Sequence, residues 1–327
     1  MKLGIIGTGL IVSEFLPFLT KIEGMEISAI LSTPRSIDTA GKMAEEYDIP
    51  LATSDFDELI SSGIDTVYVA VPNFLHYSYC EKALNAHKHV IVEKPMASSY
   101  KEASALKETA ERNGCFLFEA ITTLHLGNYR KIQEWLPRIG TVKLAQSQYS
   151  QYSRRYDAFR NGEVLPAFDP AKAGGALMDL NLYNLHFIMG LFGKPLSGQY
   201  YANVERGIDT SGIAVLDYGS FKALCAAAKD SRGMTGSIIQ GTDGVIRTSA
   251  PPGVISKVTL ELYDGTVEEF DDGMAAQRVV PEFRDFIRAI NENDTAFAAQ
   301  MLEKSLAVCE MQTKLRTEAG IVFTMDE

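Results

Sequence analysis

The chain of 327 residues has no apolar run approaching the roughly 18 residues that cross a bilayer, which excludes an ordinary transmembrane helix. Its opening, Met1-Lys2-Leu3-Gly4-Ile5-Ile6-Gly7, passes straight into a strand-like segment. It has neither a long apolar core nor a small-residue cleavage site, so no secretory signal is expected. Only four cysteines occur, Cys80, Cys115, Cys225 and Cys309, scattered with no C-x-x-C pair and no Cys/His cluster. That spacing argues against disulfides and against zinc, and it suits a reducing, cytoplasmic setting with no metal. No block of Lys or Arg stands out and the net charge is −11, a poor surface for nucleic acid or an anionic membrane. Repeats and low-complexity stretches are also missing. What is present, 46% hydrophobic and 22% charged residues, is a globular mixture of a length that suits two domains.

Two periodicities alternate through the first 120 residues. Leu3–Ile6, Ile27–Leu31, Thr66–Val71, His89–Val92 and Cys115–Phe118 are short apolar runs that read as strands. Between them lie helical patterns: Ile11 to Ile22, a face of Ala40, Met43, Ala44 and Tyr47, His76 to Ala86, and a helix capped by Ser99-x-x-Glu102 that ends near Gly114. Ser54-x-x-Asp57 reads as the capping box of a further short helix. Strands alternating with helices predict βαβ units in a doubly wound parallel sheet, a Rossmann domain over 1–120. After residue 121 the texture changes. A helix near Tyr129–Leu136 leads to a strand at Val142–Tyr149, a long polar loop and a helix around Asp179. Short strands then follow, with turn signals at Asp217-Tyr218-Gly219, Asp243-Gly244 and Asp264-Gly265. Residues 121–327 therefore read as an α+β domain with an open, largely antiparallel sheet, closed by helices at about 281–292 and 301–316. A cleft between the two domains is expected.

Gly7-Thr8-Gly9 follows the first strand and opens the first helix. One glycine permits a sharp bend, the second lets backbone approach a pyrophosphate, and the helix start supplies free N–H groups and a positive dipole end. Leu10 and Ile11 belong to that start. Val12 holds the third small position of G-x-G-x-x-G, so strand and helix are expected to sit slightly further apart. The second strand ends Ile30-Leu31-Ser32-Thr33-Pro34-Arg35, without the acid that binds the ribose 2′-hydroxyl of NAD. Ser32 and Thr33 are neutral donors and Arg35 suits a 2′-phosphate, so NADP is preferred to NAD.

Val71, Pro72, Asn73 and His76 follow a strand's carboxyl end, the edge where open α/β sheets bind ligands. Glu93, Lys94 and Pro95 end the next strand at the same edge. A lysine there can exchange a proton with a hydroxyl or carbonyl oxygen as hydride moves at carbon. Further on, Gly174-Gly175-Ala176-Leu177-Met178-Asp179 begins a greasy helix on which Asp179, Tyr183 and His186 share one face if the period is regular. They are expected either to orient substrate hydroxyls or to sit as satisfied core groups. Arg154 and Arg155, in the polar loop, either meet substrate or stand as solvated charge.

Together these segments resemble the glucose–fructose oxidoreductase/inositol dehydrogenase (Gfo/Idh/MocA) family over essentially the whole chain. The matching pieces are Gly7-Thr8-Gly9, Val-Pro-Asn-x-x-His at 71–76, Glu93-Lys94-Pro95, Glu119-Ala120, Gly-Gly-Ala-Leu-x-Asp-x-x-x-Tyr at 174–183, and Gly241-Thr242-x-Gly244. Tyrosine four residues after the Asp is similar to the dihydrodiol dehydrogenase-like branch. The resemblance implies an NAD(P)-dependent oxidoreductase acting on a sugar, polyol or related compound. Lys94 would be the main acid/base, Tyr183 would stand where many relatives carry a catalytic histidine, and Asp179 would position substrate. It also implies a homodimer or homotetramer built on the second domain's sheet. Asn181 stands where relatives usually have glycine. Two other readings of the same fold remain: a nucleotide-binding regulator, and an enzyme that retains its nucleotide for internal redox chemistry.

Overall fold

The structure, a computed structural model, describes residues 1–326. In chain order the first elements are β1 (Lys2–Ile6), α1 (Leu10–Leu19), β2 (Glu26–Leu31), α2 (Ile37–Glu46), β3 (Leu51–Thr53), α3 (Phe56–Ser61), β4 (Thr66–Val69), α4 (His76–Asn85), β5 (His89–Glu93), α5 (Tyr100–Asn113) and β6 (Leu117–Ala120). After them come α6 (Gly127–Trp135), β7 (Val142–Ser150), α7 (Arg154–Arg160), a π-type turn over Leu177–Asn181 and α8 (Leu182–Phe192). The strands β8 (Ser197–Glu205), β9 (Ile208–Asp217), β10 (Lys222–Ala228), β11 (Thr235–Gly241), β12 (Gly244–Ser249), β13 (Lys257–Leu262) and β14 (Val267–Phe270) precede α9 (Val279–Glu292) and α10 (Thr295–Glu318).

Two compact units result, Met1–Ala120 with Val279–Leu306, and Ile121–Arg278 with the described residues from Ala307 onward. The first holds a six-stranded parallel sheet in the order β3-β2-β1-β4-β5-β6, the expected doubly wound arrangement. β4 is buried at all four positions, which is why Thr66–Val69 reads as an unbroken run of strand formers. Ser99 caps α5 as expected, accepting from the Glu102 amide, and Gly114 ends it in the left-handed region at φ +63°. The short helix α3 starts one residue later than the sequence suggests. Asp55, not Ser54, is its cap, accepting from the amides of Asp57 and Glu58.

The sequence placed everything after residue 120 in the second domain, whereas residues 279–306 return to the first unit. The reason is aromatic packing. Phe283 meets Tyr68 edge-on at 5.4 Å, and Phe286 stacks on Phe118 at 4.7 Å, so α9 covers one face of the parallel sheet. Periodicity shows that α9 has an apolar face but not which sheet that face covers.

The second unit holds an eight-stranded sheet, β14-β13-β12-β11-β7-β10-β9-β8. It is antiparallel except where β7 and β10 run side by side. A buried polar chain joins α8 to it. Ser147 donates to Asn184 at 2.9 Å, Asn184 donates to Asn181 at 2.8 Å, and Asn181 donates to the Cys225 carbonyl at 3.1 Å. The side chain of Asn181 therefore faces the sheet and anchors the helix. Among the described residues no helix is long and apolar enough to cross a membrane.

Candidate active site

At the carboxyl edge of the parallel sheet the strand order reverses between β1 and β4, the place where crevices form in such sheets. Gly7 turns there at φ +119°, and a Cβ on it would lie 2.2 Å from the Ala70 carbonyl oxygen, so only glycine fits. Gly9 differs. Its φ is −75° and a Cβ would meet nothing within 4 Å, so its bare backbone borders open volume. Behind it α1 begins without a side-chain cap and without an acid in its first turn. Free N–H groups, a positive dipole end and unfilled space fit the pyrophosphate of a nicotinamide nucleotide. Thr8 and Ile11 are half-buried, Leu10 is 79% exposed, and Val12 is fully buried. Beside them, at the end of β2, Ser32 is buried while Thr33 and Arg35 are exposed, with Thr33 and Ser36 hydroxyls 2.9 Å apart.

The Glu93-Lys94-Pro95 turn ends β5 at the same edge and is pinned from several sides. His76 lies with Nδ1 2.8 Å from the Pro95 carbonyl and Nε2 2.8 Å from that of Val71. Burial pushes its pKa down, opposed by the two carbonyls that its ring nitrogens meet. Glu119 Oε1 accepts from the Met96 amide at 2.8 Å. Tyr68 donates to Glu93, whose burial pushes its carboxyl pKa up while Tyr68 and Lys94 oppose the rise. The Lys94–Pro95 bond is cis and Lys94 itself is half-buried. His76 and Glu93 were expected at the cofactor. The structure instead sets both His76 nitrogens against the Val71 and Pro95 carbonyls and Glu93 Oε1 against the Tyr68 hydroxyl, since a buried polar group must find a partner. Val71 and Asn73 are half-buried and Pro72 exposed at the neighbouring strand end.

In the second unit Asp179 lies in the π-type turn Leu177–Asn181. Its Oδ2 sits 2.9 Å from Lys229 Nζ, with side-chain exposures of 37% and 3% respectively. Both line a cavity of about 420 Å³ together with Tyr152, Arg154 and Arg155. The expected polar loop is partly helical there: α7 is capped by Ser153 and leaves both arginines exposed. Tyr183 follows one turn after Asp179, its ring 5.9 Å from Tyr149, and a Cβ on Gly253 would lie 2.7 Å from it. His186 is only 1% exposed. The expected stripe is thus broken. Of the two expectations for these residues, His186 meets that of a core group, while Asp179 reaches the cavity.

Comparison with known proteins bears on this geometry. The family described as "Oxidoreductase family, NAD-binding Rossmann fold", Gfo/Idh/MocA, matches residues 1–121. Scyllo-inositol 2-dehydrogenase (NADP(+)) IolU of Bacillus subtilis is 35% identical over 332 residues, covering 100% of this chain and 99% of that protein. The chain belongs to the Gfo/Idh/MocA oxidoreductase family. Trans-1,2-dihydrobenzene-1,2-diol dehydrogenase of Macaca fascicularis is 29% identical over 266 residues, 77% of this chain and 75% of that one. KijD10, a 3-ketoreductase from Actinomadura kijaniata solved with NADP and TDP-benzene, shares the fold with a TM-score of 0.83, 22% identity and 97% coverage of each chain.

For a Gfo/Idh/MocA protein, two buried residues were missed by the sequence reading. Lys229 ends an Ala-Ala-Ala run and looks like any lysine that leaves a strand. Asp209 sits near the start of β9. It accepts from the Leu177 amide at 2.6 Å and from Tyr200 at 2.7 Å, and a Cβ on Gly175 (φ +105°) would lie 2.1 Å from it. Asp209 therefore shapes the glycine turn that launches the Asp179 helix. No local signal reveals either residue, because each is defined by a partner remote in sequence.

Burial pushes the Asp209 carboxyl up from 3.8 to about 6, opposed by Tyr200, the Leu177 amide and the charge of Lys229. The folded chain then holds this proton more tightly than the unfolded one. The stability it contributes is complete below the unfolded value and is lost as pH rises through the folded one. Relative to Asp209→Asn, the wild type is expected to lose about 3 kcal/mol of stability between about pH 4 and about pH 7. Urea unfolding of both proteins across that range measures it, and parallel curves would refute it.

Proposed function

We propose that this oxidoreductase prefers NADP to NAD and interconverts a hydroxyl and a carbonyl on a polyol or sugar-like compound. The observation that supports it most is Lys94, half-buried in a pinned turn at the carboxyl edge that also carries Gly7 and Gly9. The nicotinamide nucleotide, when bound, supplies or accepts the hydride. Lys94 handles the proton at the substrate oxygen: its amine takes it as the alcohol becomes a carbonyl, and its ammonium returns it in reduction. A cation at that oxygen also stabilises developing negative charge. Asp179 and Tyr183 orient the remaining hydroxyls, with Arg154 and Arg155 as further substrate contacts. A cytoplasmic homodimer or homotetramer built on the open sheet of the second unit completes the reading. Tyr201 and Ile213 on β8 and β9 of that sheet are 58% and 43% exposed, which supports it.

The cofactor preference rests on Arg35 and on the missing acid after β2. Arg35→Ala is expected to reduce the NADP-over-NAD ratio of kcat/KM by about 10- to 100-fold, the value of one charge-assisted hydrogen bond. Screening polyols, aldoses and dicarbonyls by nicotinamide absorbance with each nucleotide tests the whole reading. Turnover with NAD alone would overturn the preference.

A further inference from the structure

Lys229 has no part in the chemistry described so far, yet it is a cation 2% exposed in the second unit. Its ammonium has three protons and three acceptors: Asp179 Oδ2 at 2.9 Å, the Ala167 carbonyl at 2.9 Å, and the face of Phe168 with its centroid at 4.8 Å. A charge is retained at such depth only when it is paired, and Asp179 is the anionic partner at contact distance. The other charged groups nearby are Arg154 and Arg155 on the cavity wall and Asp209 behind Lys229, which feels the same ammonium. On its own helix Asp179 is followed by Tyr183 and the buried His186.

We propose that Lys229 is a positioning residue that fixes Asp179 as a permanently charged acceptor. The cavity then admits a polyhydroxylated ligand through an O–H donor and refuses a carbonyl oxygen at that point. The inference rests on the reading of Asp179 as a substrate contact and deepens it. A carboxylate so held accepts hydrogen bonds and donates none, so two acceptors would face each other if the substrate presented a carbonyl. The hydroxyl gripped by Asp179 is therefore one that stays a hydroxyl in both redox forms, and the reacting carbon lies elsewhere on the ring. Dismissing Asp179 as a proton donor also leaves that task to Lys94.

The test separates the two claims. In protein labelled with ¹³C at Asp carboxyls, the signal missing from Asp179→Asn identifies Asp179. Lys229→Met is expected to raise its proton affinity about tenfold or more, by loss of the adjacent cation, while Lys229→Arg leaves it near wild type. Should the Met variant fail to fold, Lys229→Gln keeps a donor for the Ala167 carbonyl but no charge, and the same rise is expected. With any polyol the wild type turns over, both neutral variants should raise KM about tenfold or more with nucleotide affinity unchanged. On acidification their kcat/KM should fall with one further proton dependence beyond the Lys94 limb that the wild type also shows, and Arg should rescue both. An Asp179 midpoint unmoved in the neutral variants, or an Arg variant as impaired as Met, overturns the role of Lys229. If the wild type turns over no polyol, the functional reading fails, and the carboxyl titration still decides whether Lys229 holds Asp179.

Discussion

Lys94→Ala is expected to lower kcat by at least about 10²-fold, the usual scale for a positioned acid or base, with nucleotide affinity retained. Clean interpretation follows from how the turn is held. His76 grips the Pro95 carbonyl and Glu119 the Met96 amide, so truncating the side chain between β5 and those contacts leaves the backbone in place. Lys94→Arg should be nearly as damaging, since guanidinium keeps the charge but does not release a proton at working pH. Single-turnover absorbance with saturating nucleotide reads the chemical step directly. Near-normal turnover in Lys94→Ala would remove this residue from the mechanism.

The second large effect is a contrast between two glycines of one turn. Gly7→Ala sets a methyl 2.2 Å from the Ala70 carbonyl oxygen at φ +119°. Left-handed strain costs about 1–3 kcal/mol and overpacking against backbone a similar amount. Together they take a large share of a domain's stability, roughly 5–15 kcal/mol. A sharply lower Tm and loss of nucleotide binding are expected. Gly9→Ala meets no protein atom within 4 Å, so its Tm should stay near wild type. Its methyl intrudes where backbone must approach pyrophosphate, and nucleotide Kd should rise about tenfold or more. Thermal melts and nucleotide titration separate the two cases. A Gly9→Ala protein that binds nucleotide normally would show that the pyrophosphate lies elsewhere.

The parallel sheet was legible because burial on both faces leaves a plain mark, as in Thr66–Val69, and because Ser99 and Gly114 bracket α5 with residues suited to those ends. The glycine turn and the placement of Lys94 were legible because each follows from local position, at the end of a strand. Legibility stopped where a residue's role depends on a remote partner. His76 looks the same in sequence whether it meets a cofactor or the carbonyls of residues 71 and 95. On the stripe of Asp179, Tyr183 and His186, periodicity does not tell a cavity-lining residue from a core one: Asp179 lines the cavity and His186 is buried. Asp209 and Lys229 fell outside any motif, since a buried charge is recognisable only once its surroundings are known. The helix α9 was found, but its host sheet was decided by Phe283 and Phe286 meeting Tyr68 and Phe118.

Because one imidazole bridges the carbonyls of Val71 and Pro95, the loops that follow β4 and β5 are mechanically a single piece. They do not make separate cassettes for grafting. A swap that imports the 71–76 loop from a relative without its own 93–96 turn would join two halves shaped for different spacings, and the amine would be displaced by a change made around a different strand.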